Sequence, residues 1–353
     1  MKIIFIGNSG QKYDAARYYL SERRIYNGFV RNGHDVWFFA DREEIRAASP
    51  FGIRMIGKKR VNNKLLRVIA NFQPDAIFML NANVITPETL GVIKEIYPQI
   101  KLAQIIYDPI FDVGNRISWN ERLPYVDCHF FTTAGRSLAD FSVQGRPCYF
   151  IPNMTDSAID VGRVFEVDSP LYDVSCVMNQ SSDRKIQEGM LIDIKNELPH
   201  ITFAYHGFGG YPGVRGAEYV RLITQSAMSI SFSRSTSHGE ISSESNRYLY
   251  SSDRIAQLMG NGCLTFVEDI FSLDKLYSHD EVVFFSGKDD LKEKIVKFSR
   301  DPVERQRIAK NGWKKAHTQF STDLVTRYML ERLFDQPLGH DYQWPLDAQI
   351  KSF

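Results

Sequence analysis

The stretch YLYSSDRIAQLMGNGCLTFVED (248–269) decides how the rest of the chain is read. Ser251, Ser252 and Asp253 stand directly before a segment in which Ile255, Leu258 and Met259 fall on one helical face. Ser252 or Asp253 is the expected N-cap. Gly262 can take the left-handed conformation that ends a helix. Residues 263–267 form a short apolar run, the signature of a strand covered on both faces. The order is loop, helix, tight turn, buried strand, which is one αβ unit of a parallel sheet. A polar helix N-terminus also offers N–H groups and a favourable dipole to an anion. The same stretch is therefore a candidate phosphate site.

The alternation continues outward in both directions. Upstream, KIIFI (2–6) reads as a strand, GNSGQKYD (7–14) as a polar loop, residues 17–32 as a helix stopped by Gly33, and 35–40 as a strand. PDAIFML (74–80), KLAQIIY (101–107), DCHFFTT (127–133) and CYFIPN (148–153) are further strands, with helices expected over 87–97 and from Gly135. Residues 154–170 are polar, lack periodicity and read as a linker. A second series follows: strands at 172–178, 201–207, 228–233, 263–267 and 281–286, helices at 183–199, 217–226 and 253–259, and a long polar loop over 234–250. Two further helices and a last one near 324–333 end the chain. Strands separated by helices imply parallel sheets with crossovers. The expected fold class is α/β, with two tandem Rossmann-like domains facing each other across a cleft, the usual ligand location for such sheets. The expected divisions are an N-terminal domain over 1–155, a linker over 156–170 and a C-terminal domain over 171–323. A helix and tail over 324–353 would cross back to the first domain.

Composition narrows the function classes. The chain has 353 residues, 43% hydrophobic and 24% charged, with a net charge of +1, so nothing favours bulk nucleic-acid binding. No apolar run approaches the roughly 20 residues that span a bilayer, which leaves peripheral membrane contact only. Cys128, Cys148, Cys176 and Cys263 show no CxxC spacing. They are expected to be buried, reduced thiols of a cytoplasmic protein, with no zinc site. GNSGQKYD lacks the GxGxxG pattern of a dinucleotide-binding dehydrogenase.

The second half resembles the group-1-like branch of the GT-B glycosyltransferases that includes bacterial spore-maturation-type enzymes. Four segments carry the likeness in order: YDVSCVMNQSSDRK (172–185), Arg254, Ala256, Gln257 and Gly262 followed by CLTFVED, then DDLKEKI, then DPVERQRIAKNGWKKAHTQFS (301–321). IPNMTD (151–156) is similar to the segment that closes the two domains. The resemblance implies a nucleotide-sugar donor on the C-terminal domain and a glycan or lipid-linked acceptor on the N-terminal one. It implies bacterial surface-polysaccharide synthesis as the setting. Retaining members of the wider group carry two glutamates, and in that register this chain has Leu249 and Gln257. Sugar transfer is therefore supported more than retention of configuration.

Candidate site residues follow. Arg254 in a first helical turn opposes the dipole, and a donor diphosphate would offset this. Ser251 and Ser252 offer hydroxyls to phosphate, Asp253 caps or meets ribose hydroxyls, and Gln257 meets a sugar or ribose hydroxyl. By the resemblance, Arg184 lies beside the donor phosphates. The loop YHGFGGYPG (205–213) follows a strand, so Gly207 and Gly209 would let the backbone approach a nucleotide and Phe208 would stack on its base. Ser233 and Arg234 sit at another strand end, and Arg247 and Tyr250 in the loop entering the opening stretch. In the first domain, Asn8, Ser9, Gly10 and Asp14 follow the first strand, where the resemblance places acceptor or cleft contacts. Asp108 and Asp112 in YDPIFD (107–112) are candidate catalytic bases for the acceptor proton. No cofactor and no metal is expected, since arginines can neutralise the leaving diphosphate. The rival readings are a GT-B-shaped nucleotide-sugar epimerase or phosphorylase and a non-catalytic sugar-binding protein.

Overall fold

The computed structural model describes residues 1–49, 54–108, 110, 119–135, 138, 146–181, 184–233 and 248–346. The chain divides into two compact units. Unit 1 holds Met1–Pro152, Ser242–Tyr248 and Thr322–Phe353, and unit 2 holds Asn153–Ile241 and Leu249–Ser321.

Unit 1 is built on a parallel sheet of β1 (Lys2–Ile6), β2 (Asp35–Phe39), β3 (Ala76–Leu80), β4 (Lys101–Ile106), β5 (Cys128–Phe131) and β6 (Cys148–Phe150). Their order is β2-β1-β3-β4-β5-β6. The short strands of the sequence are apolar without alternation because the sheet is covered on both faces. β3, for example, is buried at all five positions. α1 (Ser21–Arg31), α2 (Asp41–Ala48), α3 (Arg54–Phe72) and α4 (Pro87–Ile96) connect the strands. α4 begins where its sequence says it should. Pro87 occupies the first turn and the Thr86 hydroxyl accepts from Thr89 N at 3.3 Å.

Unit 2 repeats the plan with β7 (Tyr172–Val177), β8 (Phe203–His206), β9 (Ser226–Ser231), β10 (Leu264–Glu268) and β11 (Val283–Phe285), in the order β11-β10-β9-β7-β8. Its helices are α5 (Lys185–Glu197), α6 (Gly216–Thr224), α7 (Arg254–Gly260), α8 (Gly287–Arg300) and α9 (Pro302–Thr318). A last helix, α10 (Thr322–Leu333), packs on α1 in unit 1. The two come close because a Cβ on Gly28 would lie 2.6 Å from Thr322 O.

Each sheet has one reversal of strand order. β1 lies between β2 and β3, and β7 lies between β8 and β9. In open α/β sheets, ligands sit beyond the carboxyl ends of strands at such a reversal.

Two sequence expectations change. The first helix begins at Ser21, not at residue 17, because Leu20 has extended backbone (φ −59°, ψ 152°) and no helix can run through it. The polar segment read as a linker is packed into unit 2. Thr155, Asp156 and Asp160 are buried, Thr155 Oγ1 donates to Ala256 O at 3.0 Å, and Gly162 N donates to Asn261 Oδ1 at 3.0 Å. The helix expected from Gly135 lies largely outside the described residues.

Candidate functional site

The opening stretch folds as an αβ unit. α7 ends in a Schellman motif: Gly262 N donates to Met259 O at 2.9 Å and Cys263 N to Leu258 O at 3.1 Å. Gly262 has φ 73°, and a Cβ there would lie 2.6 Å from the Phe165 ring. No other residue serves at that position. The start of α7 is less regular than the sequence suggests. Asp253 stands at the N-cap position without a side-chain capping bond and is exposed. Its own φ is helical, at −57°, which turns the carboxylate away from the first N–H groups. The Ser252 hydroxyl accepts from Arg254 N at 3.4 Å instead.

Around this start, unpaired polar atoms collect at the carboxyl edge of the unit 2 sheet. Arg254 Nη1, Ser231 Oγ at the end of β9 and Glu268 Oε2 at the end of β10 are buried with no hydrogen-bond partner among the described residues. Buried polar atoms in native proteins are nearly always satisfied, so such a group marks a place for water or a ligand. Arg254 and Arg184 converge there. Burial pushes the Cys176 thiol, on β7, up to about 12, and the Arg254 and Arg184 charges are near enough to pull it back. Burial also raises the Glu268 carboxyl above its ordinary value. Glu268 and Ser231 were not among the expected site residues. The signal for Glu268 was an acid closing an apolar strand in CLTFVED.

Several expected donor residues serve the fold instead. Phe208 is 1% exposed and packs in the unit 2 core between Tyr205 and Tyr211, so both ring faces are covered and it cannot stack on a base. Its loop turns inward. Gly207 N points at Tyr211 O and Pro212 O, and Gly209 N donates to Glu188 Oε1 at 2.9 Å. Gln257 is buried and its Oε1 accepts from Tyr219 OH at 2.7 Å. Ser251 is buried and accepts from Asn153 Nδ2 at 2.9 Å through its hydroxyl and at 3.0 Å through its carbonyl. That ties the closing segment to α7 rather than to a phosphate. Tyr250 is buried with its ring 6.1 Å from that of Phe271. Ser233 is buried just beyond β9. Arg234 and Arg247 lie outside the described residues, as does Asp112 of unit 1.

In unit 1, Asp108 is half-buried just after β4. Asn8, Ser9 and Gly10 line a cavity of about 440 Å³ beyond β1, together with Arg17, Tyr18, Arg23, Tyr26 and Phe38. The loop has a fixed shape. Asn8 Oδ1 accepts from Gly10 N at 3.0 Å, and Ser9 N reaches Glu43 Oε2 at 3.4 Å. Asp14 and Ala15, both left-handed, cost on the order of 1–3 kcal/mol each, a strain that functional loops often carry. Asp14 itself is exposed and does not line the cavity.

Residues 184–331 match the family model described as Glycosyl transferase-like. No curated protein is a significant sequence match. Among solved structures, Alr3699/HepE of Anabaena in complex with UDP-glucose aligns at a TM-score of 0.58 and 14% identity, over 95% of this chain and 100% of that one. A glycosyltransferase from Rickettsia africae aligns at 0.57 and 10% identity, over 95% and 98%. The UDP-GlcNAc 2-epimerase of Neisseria meningitidis, bound to UDP-GlcNAc, aligns at 0.51 and 11%, over 95% and 100%. The fold is of the GT-B type. In GT-B terms unit 1 carries the N-terminal Rossmann-like domain and unit 2 the C-terminal one, and the family match falls mainly on the latter. No described helix is long and apolar enough to cross a membrane.

Proposed function

We propose that the chain is a glycosyltransferase that takes a sugar from a nucleotide-activated donor, with the donor diphosphate held at the carboxyl edge of unit 2. The observation that carries this is the buried Nη1 of Arg254, without a partner among the described residues, with Arg184 close by, at the strand-order reversal. The Glycosyl transferase-like match over 184–331 and the UDP-sugar complexes among the structural neighbours support it. In transfer, the acceptor oxygen forms a bond to the anomeric carbon, and the bond from that carbon to the diphosphate oxygen breaks. The electron pair leaves with the diphosphate, and the acceptor proton passes to a base, for which Asp108 is the candidate. Two guanidinium groups fixed before the reaction stabilise the charge that develops on the leaving group. This needs no metal ion at the diphosphate. Surface-polysaccharide synthesis in a bacterium is the proposed setting, from the resemblance of the C-terminal half.

UDP serves as the test ligand because neighbours of this fold hold it. Arg254→Ala should weaken UDP binding ten- to a hundred-fold, about 1.5–3 kcal/mol for a charge-assisted hydrogen bond, and leave uridine binding nearly unchanged. Equal UDP affinity in wild type and variant would remove Arg254 from the site.

An epimerase is the second reading, because epimerases share this architecture. Incubation with UDP-GlcNAc alone separates the two. A rearranged or freed sugar without any acceptor would favour the epimerase.

A further inference from the structure

We infer that the cavity beyond β1 in unit 1 binds an anionic sugar residue of the acceptor. The inference rests on the glycosyltransferase reading for the word acceptor, but the binding site stands on its own geometry. Its volume of about 440 Å³ lies in the range of small-molecule sites. Three aromatic residues line it, Tyr18, Tyr26 and Phe38, all half-buried; the Tyr26 and Phe38 rings meet edge to face at 5.7 Å. Half-exposed rings of this kind suit the C–H face of a pyranose.

The charge decides the class of sugar. Arg17 and Arg23 line the cavity, and no Asp or Glu does. Neither arginine has an ion pair with a carboxylate among the described residues. Arg17 is held with its guanidinium 4.2 Å from the Tyr13 ring centroid, which fixes its direction while leaving N–H groups to donate. Two uncompensated guanidinium groups beside aromatic walls match one sugar ring bearing a carboxylate or a phosphate. Ser9, on the rim, adds a small hydroxyl.

The test is ligand-observed NMR titration of the full chain with methyl β-glucuronide, glucose 6-phosphate and methyl β-glucoside. At least one anionic sugar should bind ten-fold or more tightly than the glucoside, and the two anionic arms separate carboxylate from phosphate. Arg17→Gln with Arg23→Gln should reduce that preference to under three-fold while UDP affinity stays at the wild-type value. Arg17→Lys with Arg23→Lys should keep part of the preference, which guards against a glutamine variant that folds poorly. Equal binding of the neutral sugar, an unchanged preference in the glutamine variant, or no binding of either anionic sugar would overturn the inference. Loss of the glycosyltransferase reading would show differently, as absent UDP binding by a chain that still selects anionic sugars.

Discussion

The loops after β1 and after β8 look alike in sequence and do opposite things. GNSG (7–10) and GFGG (207–210) both follow a buried parallel strand, and both carry glycines in left-handed backbone. The first leaves a cavity with half-exposed tyrosines on its walls. The second folds onto itself, with its aromatic residue in the core and its amides spent on Tyr211, Pro212 and Glu188. Glycine marks a backbone requirement. Whether a ligand or the protein itself imposes that requirement depends on where the neighbouring aromatic goes, and a local pattern does not record this.

Substitution at the glycines gives the largest contrast. A Cβ on Gly207 would lie 2.0 Å from Met178 O, at φ 83°, so neither the backbone nor its neighbour can yield. Gly207→Ala should cost about 3–5 kcal/mol in urea unfolding. At Gly10, with φ 75°, the nearest atom to such a Cβ is the flexible end of Leu20 at 3.4 Å. Gly10→Ala should cost only the left-handed penalty, about 1–2 kcal/mol. Similar losses at both positions would show that the second loop is as open as the first.

Within the opening stretch, the same question separates two residues only three apart. Ser251→Ala leaves the buried Asn153 amide short of an acceptor, and should cost about 1–3 kcal/mol of stability. Its effect on UDP affinity should stay under two-fold. Arg254→Ala should do the reverse. A Ser251→Ala variant of normal stability that loses UDP would return the hydroxyl to the donor site.

The fold was legible because strand burial is written locally. KIIFI, AIFML and CLTFV each fill a strand whose two faces are covered, and Thr86-Pro87 and Asp301-Pro302 announce their helices. α2 and α3 were not foreseen, since their apolar positions are scattered among many charges. The site was less legible. Arg254, singled out by its place in a first helical turn, and Arg184, taken from the resemblance, both lie near Cys176 on β7. The partners of Gln257 and Ser251 lie 38 and 98 residues away. Phe208 is covered by residues from both sides of its own loop. Long-range pairings like those of Gln257 and Ser251 leave no mark on the segment that supplies one half of them.

The smallest expected effect concerns Glu268, the acid at the carboxyl edge of unit 2. Burial holds its folded-state pKa above the ordinary value, and no countercharge offsets this. The folded state therefore binds the proton more tightly than the unfolded chain does. By linkage, the stability this group contributes is present below its unfolded pKa, near 4.3, and is lost as pH rises through the folded pKa. Glu268→Gln keeps the shape and removes the charge. The variant should melt about 1–3 °C above wild type at neutral pH, a fraction of a kcal/mol to about 1 kcal/mol for a protein of this size. The gap should close as the pH falls toward 4. Scans of both proteins from pH 4 to pH 8 decide it. A variant less stable at pH 7 than at pH 4, relative to wild type, would mean that the carboxylate is paired. The carboxyl edge of unit 2 would then have lost one of the unpaired atoms that distinguish it from the closed loop after β8.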